Sequence, residues 1–125
     1  MADKISASSQ DYLEAILELS KENQWIRSVD IAEKLNVSRA SVNRAIGILK
    51  QAGYIVQERY SQIALTELGA CKAQEIKDRH IALKTFLNKM LNVSESIAEE
   101  DACKMEHNMS TETLEKLKLY IEKNL

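Results

Sequence analysis

The chain has 125 residues, 45% of them hydrophobic, no proline and three glycines, with a formal net charge of −2. That length holds one or two small domains with a real core, and so few breakers favour a mostly helical protein. Two cysteines make no disulfide framework, no apolar run is long enough to span a membrane, and the N-terminus lacks a basic region followed by an apolar stretch; a protein with reduced thiols in the cytoplasm is expected. Charge is unevenly spread. Residues 25–60 carry six basic groups against three acidic ones, and residues 94–125 carry four lysines against eight acids. A basic middle followed by an acidic tail suits a DNA surface and then a cation-binding and association region.

A first helix starts near Ser8 or Ser9, with Tyr12, Leu13, Ile16, Leu17 and Leu19 as its apolar stripe. Asp11 and Glu14 sit three apart on it. The short Trp25–Arg27 segment reads as a small edge strand. A second helix begins at Ser28 and carries Ile31, Ala32 and Leu35 inward, with a turn at Asn36–Val37. A third begins at Ser38, its N-cap. Val42, Ala45, Ile46 and Leu49 face the core, while Arg39, Ser41, Asn43 and Arg44 project elsewhere. Gly53 is placed to stop it.

Strand formers at 54–60 and 63–66 flank the polar pair Ser61-Gln62 and predict a β-hairpin. A fourth helix opens at Thr66–Glu67, with Thr66 as cap and Gly69 a weak point, and runs to about Leu91. Ser94 caps a fifth that continues through Met105 and Met109, both on its apolar side. Ser110 caps a sixth that presents Leu114, Leu117, Tyr120 and Ile121.

Two short helices joined by a tight turn and followed by a hairpin spell a winged helix-turn-helix. Ala32 supplies the small residue that close helix packing needs, and Val37 the apolar residue of the turn. The third helix would enter a major groove with its N-terminal residues at base edges. Ser28, Ser38, Arg39, Ser41, Asn43 and Arg44 are the side chains placed near double-stranded DNA, because arginine bonds guanine bidentately and Ser or Asn reaches bases or phosphates. Arg59 and Tyr60 in the wing are placed against the backbone or minor groove. A solvated helix face is the ordinary reading of any one of them; their order and spacing together favour DNA.

The segment Cys103–His107 carries the second signal. On a helix, i, i+3 and i+4 share a face, so Cys103, Glu106 and His107 would present a thiol, a carboxylate and an imidazole at one spot. That mixture suits Fe(II), Co(II), Ni(II) or Zn(II), and takes Mn(II) less comfortably because of the sulfur. Singly, each residue has a plainer reading: Cys103 as a small buried hydrophobe, Asp11 as a charge on a helix dipole, Glu14 as a solvated face, His80 as a surface or core histidine. Cys71 has no obvious co-ligand and reads as structural. Nothing resembles a catalytic nucleophile–base pair or a phosphate loop, so no enzyme and no small-molecule substrate is expected.

These residues resemble the diphtheria-toxin-repressor and manganese-transport-regulator family of metal-dependent repressors. The resemblance runs through Asp11–Ile16, Ser28–Ser38, Leu65–Gly69, Arg79-His80 with Phe86-Leu87, and most specifically Glu100–Ser110. It implies a homodimer with a winged-helix DNA-binding domain at residues 1–70 and an all-helical metal-binding and dimerisation domain at 71–125. It implies metal ligands at Asp11, Glu14, His80, Cys103, Glu106 and His107, and repression of metal-uptake genes when Fe(II) or Mn(II) is replete. Asp11 and Glu14 follow the manganese type, and Cys103 follows the iron type. The iron type has an acidic ligand one turn after His80, where this chain has Lys84. His80 and Glu14 would instead serve a second, manganese-type site, with Glu99 or Glu106 assisting. The iron type often continues into a further SH3-like domain, and this sequence stops at Leu125. On ligand softness Fe(II) leads and Mn(II) follows, with Zn(II), Co(II) or Ni(II) as substitutes. The rival expectations are a winged-helix regulator answering to an organic ligand or to thiol oxidation at Cys103, and a metal-binding module that docks proteins.

Overall fold

The computed structural model describes residues 5–58 and 62–125. The order of elements is α1 (Ala7–Ser20), α2 (Ser28–Leu35), α3 (Arg39–Gln51), β1 (Ile55–Gln57), β2 (Ile63–Leu65), α4 (Glu67–Thr85), a π turn (Phe86–Met90), α5 (Glu95–Met105), a 3-10 turn (Glu106–Asn108) and α6 (Thr111–Asn124). Two compact units divide the chain, Met1–Gln74 and Glu75–Leu125. No helix among the described residues is long and apolar enough to cross a membrane.

In the first unit, α1 is capped by Ser6 rather than by Ser8 or Ser9: its Oγ accepts the backbone N–H of Ser9 at 3.1 Å. Ser9 is already inside the helix and buried. Tyr12, Leu13, Ala15 and Ile16 bury against Ile31, Ala32, Val42, Ile46 and Leu49 of α2 and α3. That is the apolar set helical spacing predicts.

The turn between α2 and α3 works through Asn36, at φ 56 and ψ 52, a left-handed conformation asparagine tolerates. The Val37 N–H then closes onto the Ala32 carbonyl at 3.1 Å, and the second helix restarts at Ser38, whose Oγ accepts the Ser41 N–H at 3.1 Å. α3 ends in a Schellman motif: Tyr54 N–H to Leu49 O at 3.0 Å and Gly53 N–H to Lys50 O at 3.1 Å, with Gly53 at φ 86.

The hairpin pairs Ile55 with Leu65, Val56 with Ala64 and Gln57 with Ile63, antiparallel. The segment expected as an edge strand contributes one bridge only, Ile26 with Ile63, because the chain turns into α2 immediately afterwards. The wing tip, with Arg59 and Tyr60, lies outside the described residues.

Gly69 is no weak point. A Cβ there would lie 1.8 Å from the Tyr54 carbonyl oxygen, so the residue lets α4 touch the backbone just before β1. Thr66 secures the same junction: its hydroxyl donates to Gly53 O at 2.7 Å and accepts from Gly69 N–H at 3.0 Å.

In the second unit, the expected long fourth helix stops being α-helical at Thr85. It widens into the π turn Phe86–Met90 and reverses at Asn92, with φ 61. α5 ends at Met105, four residues before the predicted limit, and tightens into the 3-10 turn. That early end leaves Met105 exposed at 45%, not in the core as expected, and Met109 half-buried. Cys71 is exposed as well, so it is not a structural core cysteine. Ser110 caps α6 by accepting the Thr113 N–H at 3.1 Å. Ile76, Ala82, Leu83, Leu87, Ala98, Ala102 and Leu114 are buried.

Candidate DNA-reading face and metal centre

α3 carries the candidate reading face. Its core residues recur with helical period, which turns Arg39, Asn43 and Arg44 outward and leaves them exposed. Ser38 and Ser41 are partly committed to the cap, since the Ser38 hydroxyl donates to Ser41 Oγ at 3.0 Å. Ser28 is half-buried at the first position of α2. Lys50, near the end of α3, donates to the Gln57 side chain of β1 at 3.2 Å, which links helix and wing.

The metal-ligating candidates of the second unit converge on Glu106. Its side chain is 0% exposed, and a buried carboxylate is costly unless paired or coordinating a cation. His80 Nδ1 lies 2.7 Å from Glu106 Oε1, and His107 Nε2 lies 3.7 Å from Glu106 Oε2. Arg79, one residue before His80 on α4, donates from Nη1 to the Glu106 carbonyl at 3.3 Å and from Nη2 to Glu75 at 2.8 Å.

His80, Cys103 and Glu106 each offer a ligand atom, and these lie within 4.8 Å of one another. The group around Cys103 is thus completed by His80, where the sequence pointed to His107. The reason is local: the α-helix ends at Met105, so Glu106 and His107 follow 3-10 rather than α-helical spacing. Cys103 is exposed, which removes the reading of it as a buried hydrophobe. Asp11 is exposed and Glu14 half-buried, one turn apart on α1.

The imidazole of His80 uses both faces. Its Nε2 lies 3.0 Å from Glu99 Oε2. Burial pulls its pKa down, but hydrogen bonds to Glu99 and Glu106, together with their negative charges, outweigh burial and raise it above 6.5. Glu99 moves the other way: the hydrogen bond to His80 lowers its pKa, burial opposes this, and Lys84 adds to the lowering. Arg79 stands in the Arg79-His80 stretch of the resemblance but received no role of its own from the sequence; Glu75 four residues earlier has a helix-surface ion-pair spacing.

A thiol, an imidazole and a buried carboxylate held this close are a donor set that fits a divalent transition metal. Together with a winged helix-turn-helix, this candidate donor set marks the class of metal-responsive DNA-binding regulators. Two family models match in tandem: the N-terminal DNA-binding domain of iron-dependent repressors over residues 4–63, and their metal-binding and dimerisation domain over residues 66–124. The chain belongs to the iron-dependent repressor family of metal-responsive transcriptional regulators.

It is 41% identical over 120 residues to an HTH-type transcriptional regulator of Methanocaldococcus jannaschii, covering 95% of this chain and 96% of that one. It is 38% identical over 114 residues to the transcriptional regulator MntR of Escherichia coli, covering 91% of this chain and 73% of that one. Among solved structures, the manganese regulator SloR superposes with a TM-score of 0.81 at 28% identity, over 91% of this chain and 53% of that one. The chain therefore spans about half the length of that structure.

Proposed function

We propose that this chain is a metal-activated repressor that binds double-stranded operator DNA as a homodimer and silences metal-uptake genes when Fe(II) or Mn(II) is replete. The observation that carries the reading is Glu106, a fully buried carboxylate with His80 at 2.7 Å and Cys103 within ligand range. The thiolate favours Fe(II), with Mn(II) next, and Zn(II), Co(II) or Ni(II) as substitutes. Asp11, Glu14 and His107 join the donor set by resemblance to the family. Bound metal would neutralise the carboxylates and join residues from distant parts of the chain, fixing the geometry of the reading heads. Because that coupling is reciprocal, operator DNA tightens metal binding by the same factor.

In this reading Arg39, Asn43 and Arg44 meet base edges, and Ser28, Ser38 and Ser41 lie near phosphates. Arg59 and Tyr60 of the wing tip are proposed as backbone or minor-groove contacts. Exposed Ile97, Met105, Leu119 and Tyr120 of α5 and α6 supply the apolar surface that a second copy would cover. The cytoplasm is the proposed location, and no catalysis is assigned.

The test is operator binding by Glu106→Ala and His107→Ala. Both variants should keep the helical circular-dichroism spectrum and lose the metal-dependent gain in DNA affinity. Unchanged metal-dependent binding in both would contradict the proposal.

A further inference from the structure

His80 and Lys84 are one turn apart on α4, and Glu95 and Glu99 are one turn apart on α5. The Lys84 ammonium lies 3.2 Å from Glu99 Oε1 and 3.9 Å from Glu95 Oε2. The other oxygen of Glu99 lies 3.0 Å from His80 Nε2, and the other nitrogen of His80 lies 2.7 Å from Glu106. Four groups therefore form one chain of contacts, Glu106–His80–Glu99–Lys84, from a buried end to a solvated one.

A histidine that gives one nitrogen to a metal commonly donates its other N–H to a carboxylate, which fixes tautomer and ring orientation. Here Nδ1 faces the buried donor set and Nε2 faces Glu99. That is the arrangement of a ligand with an orienting carboxylate behind it. Both oxygens of Glu99 are engaged, one of them by a fixed positive charge. An ammonium at that distance repels any second divalent ion that would use the same carboxylate.

We propose that Lys84 is a resident cation at the outer edge of the centre: it holds Glu99 against His80 as an orienting group and keeps any divalent ion from taking that carboxylate as a ligand. This rests on the metal-sensor reading above and reassigns Glu99 from ligand to positioning residue. With Glu99 half exposed and Lys84 one-third exposed, the ion pair adds little to stability. Its role is therefore separable from the fold.

The experiment is anaerobic titration of the full chain with Mn(II) by calorimetry and with Co(II) by absorption, on wild type, Lys84→Gln, Lys84→Arg and Glu99→Gln. The metal-free proteins should melt together. Wild type and Lys84→Arg should take the same number of equivalents. Lys84→Gln should take one more. Glu99→Gln should keep the wild-type number, with the ion at His80 bound roughly 10- to 100-fold more weakly. The wild-type number of equivalents at wild-type affinity in Lys84→Gln would overturn the proposal, as would Lys84→Arg behaving like Lys84→Gln. No binding by any of the four would overturn the sensor reading along with it, whereas binding that ignores Lys84 overturns this inference alone.

Discussion

At the scale of single residues, the buried Glu106 and its imidazole neighbour make a testable pH signature. The His80 pKa is raised in the folded protein, because its hydrogen bonds and the charges of Glu99 and Glu106 outweigh burial. A raised folded-state pKa contributes stability that is complete below the unfolded value of 6.5 and is lost as pH rises through the folded value. Metal-free protein in chelator should therefore melt at progressively lower temperature as pH climbs past neutrality. Divalent metal should reverse the trend, since ligands bind metal deprotonated. A melting temperature independent of pH in chelator would show that His80 gains nothing from its two carboxylates. Glycines give a second pair of opposite outcomes. Nothing lies within 4 Å of a Cβ at Gly47, so Gly47→Ala should stabilise by about 1 kcal/mol through helix propensity. Gly69→Ala drives a Cβ into the Tyr54 carbonyl and should cost about 1–3 kcal/mol or more. Urea unfolding of the two variants, shifted in opposite directions, checks both.

At the scale of elements, the reading unit was legible because its signals are local. The Ser38 cap, the Gly53 stop and the alternating segments around Ser61-Gln62 each act within a few residues, and the structure uses Ser38 and Gly53 as expected. The α1 start was displaced because three serines, Ser6, Ser8 and Ser9, cluster there and only contact geometry selects Ser6. Gly69 was misjudged for a different reason: its purpose is a backbone 15 residues away in sequence, which periodicity cannot see. The end of α5 and the π turn were equally invisible, since no glycine or proline marks them. For the same reason Cys103, Glu106 and His107 were assigned to one helix face, when the α-helix ends before Glu106 and His80 comes to stand beside Cys103. That His80, rather than His107, stands with Cys103 and Glu106 could not be read from the chain. Arg44 belongs to this scale too. Exposed in the middle of α3, it should weaken operator binding when changed to Ala, by about 1–3 kcal/mol if it reads a guanine, and leave metal affinity of the free protein unchanged. Full operator affinity in Arg44→Ala would remove it from the interface.

At the scale of the whole molecule, a DNA-binding domain is joined to a metal-binding and dimerisation domain. The signal is a cation and the output is occupancy of an operator. Metal control of DNA binding is tested by fluorescence anisotropy of the full chain on the DNA upstream of its own gene. The titration is run anaerobically, first in chelator and then with Fe(II), Mn(II) or Zn(II). Weak binding is expected in chelator and a large gain with Fe(II) or Mn(II), by the factor that operator DNA in turn adds to metal affinity. Equally tight binding in chelator and in metal would contradict it, and would leave Cys103, Glu106 and His80 as a structural cluster with no part in DNA recognition.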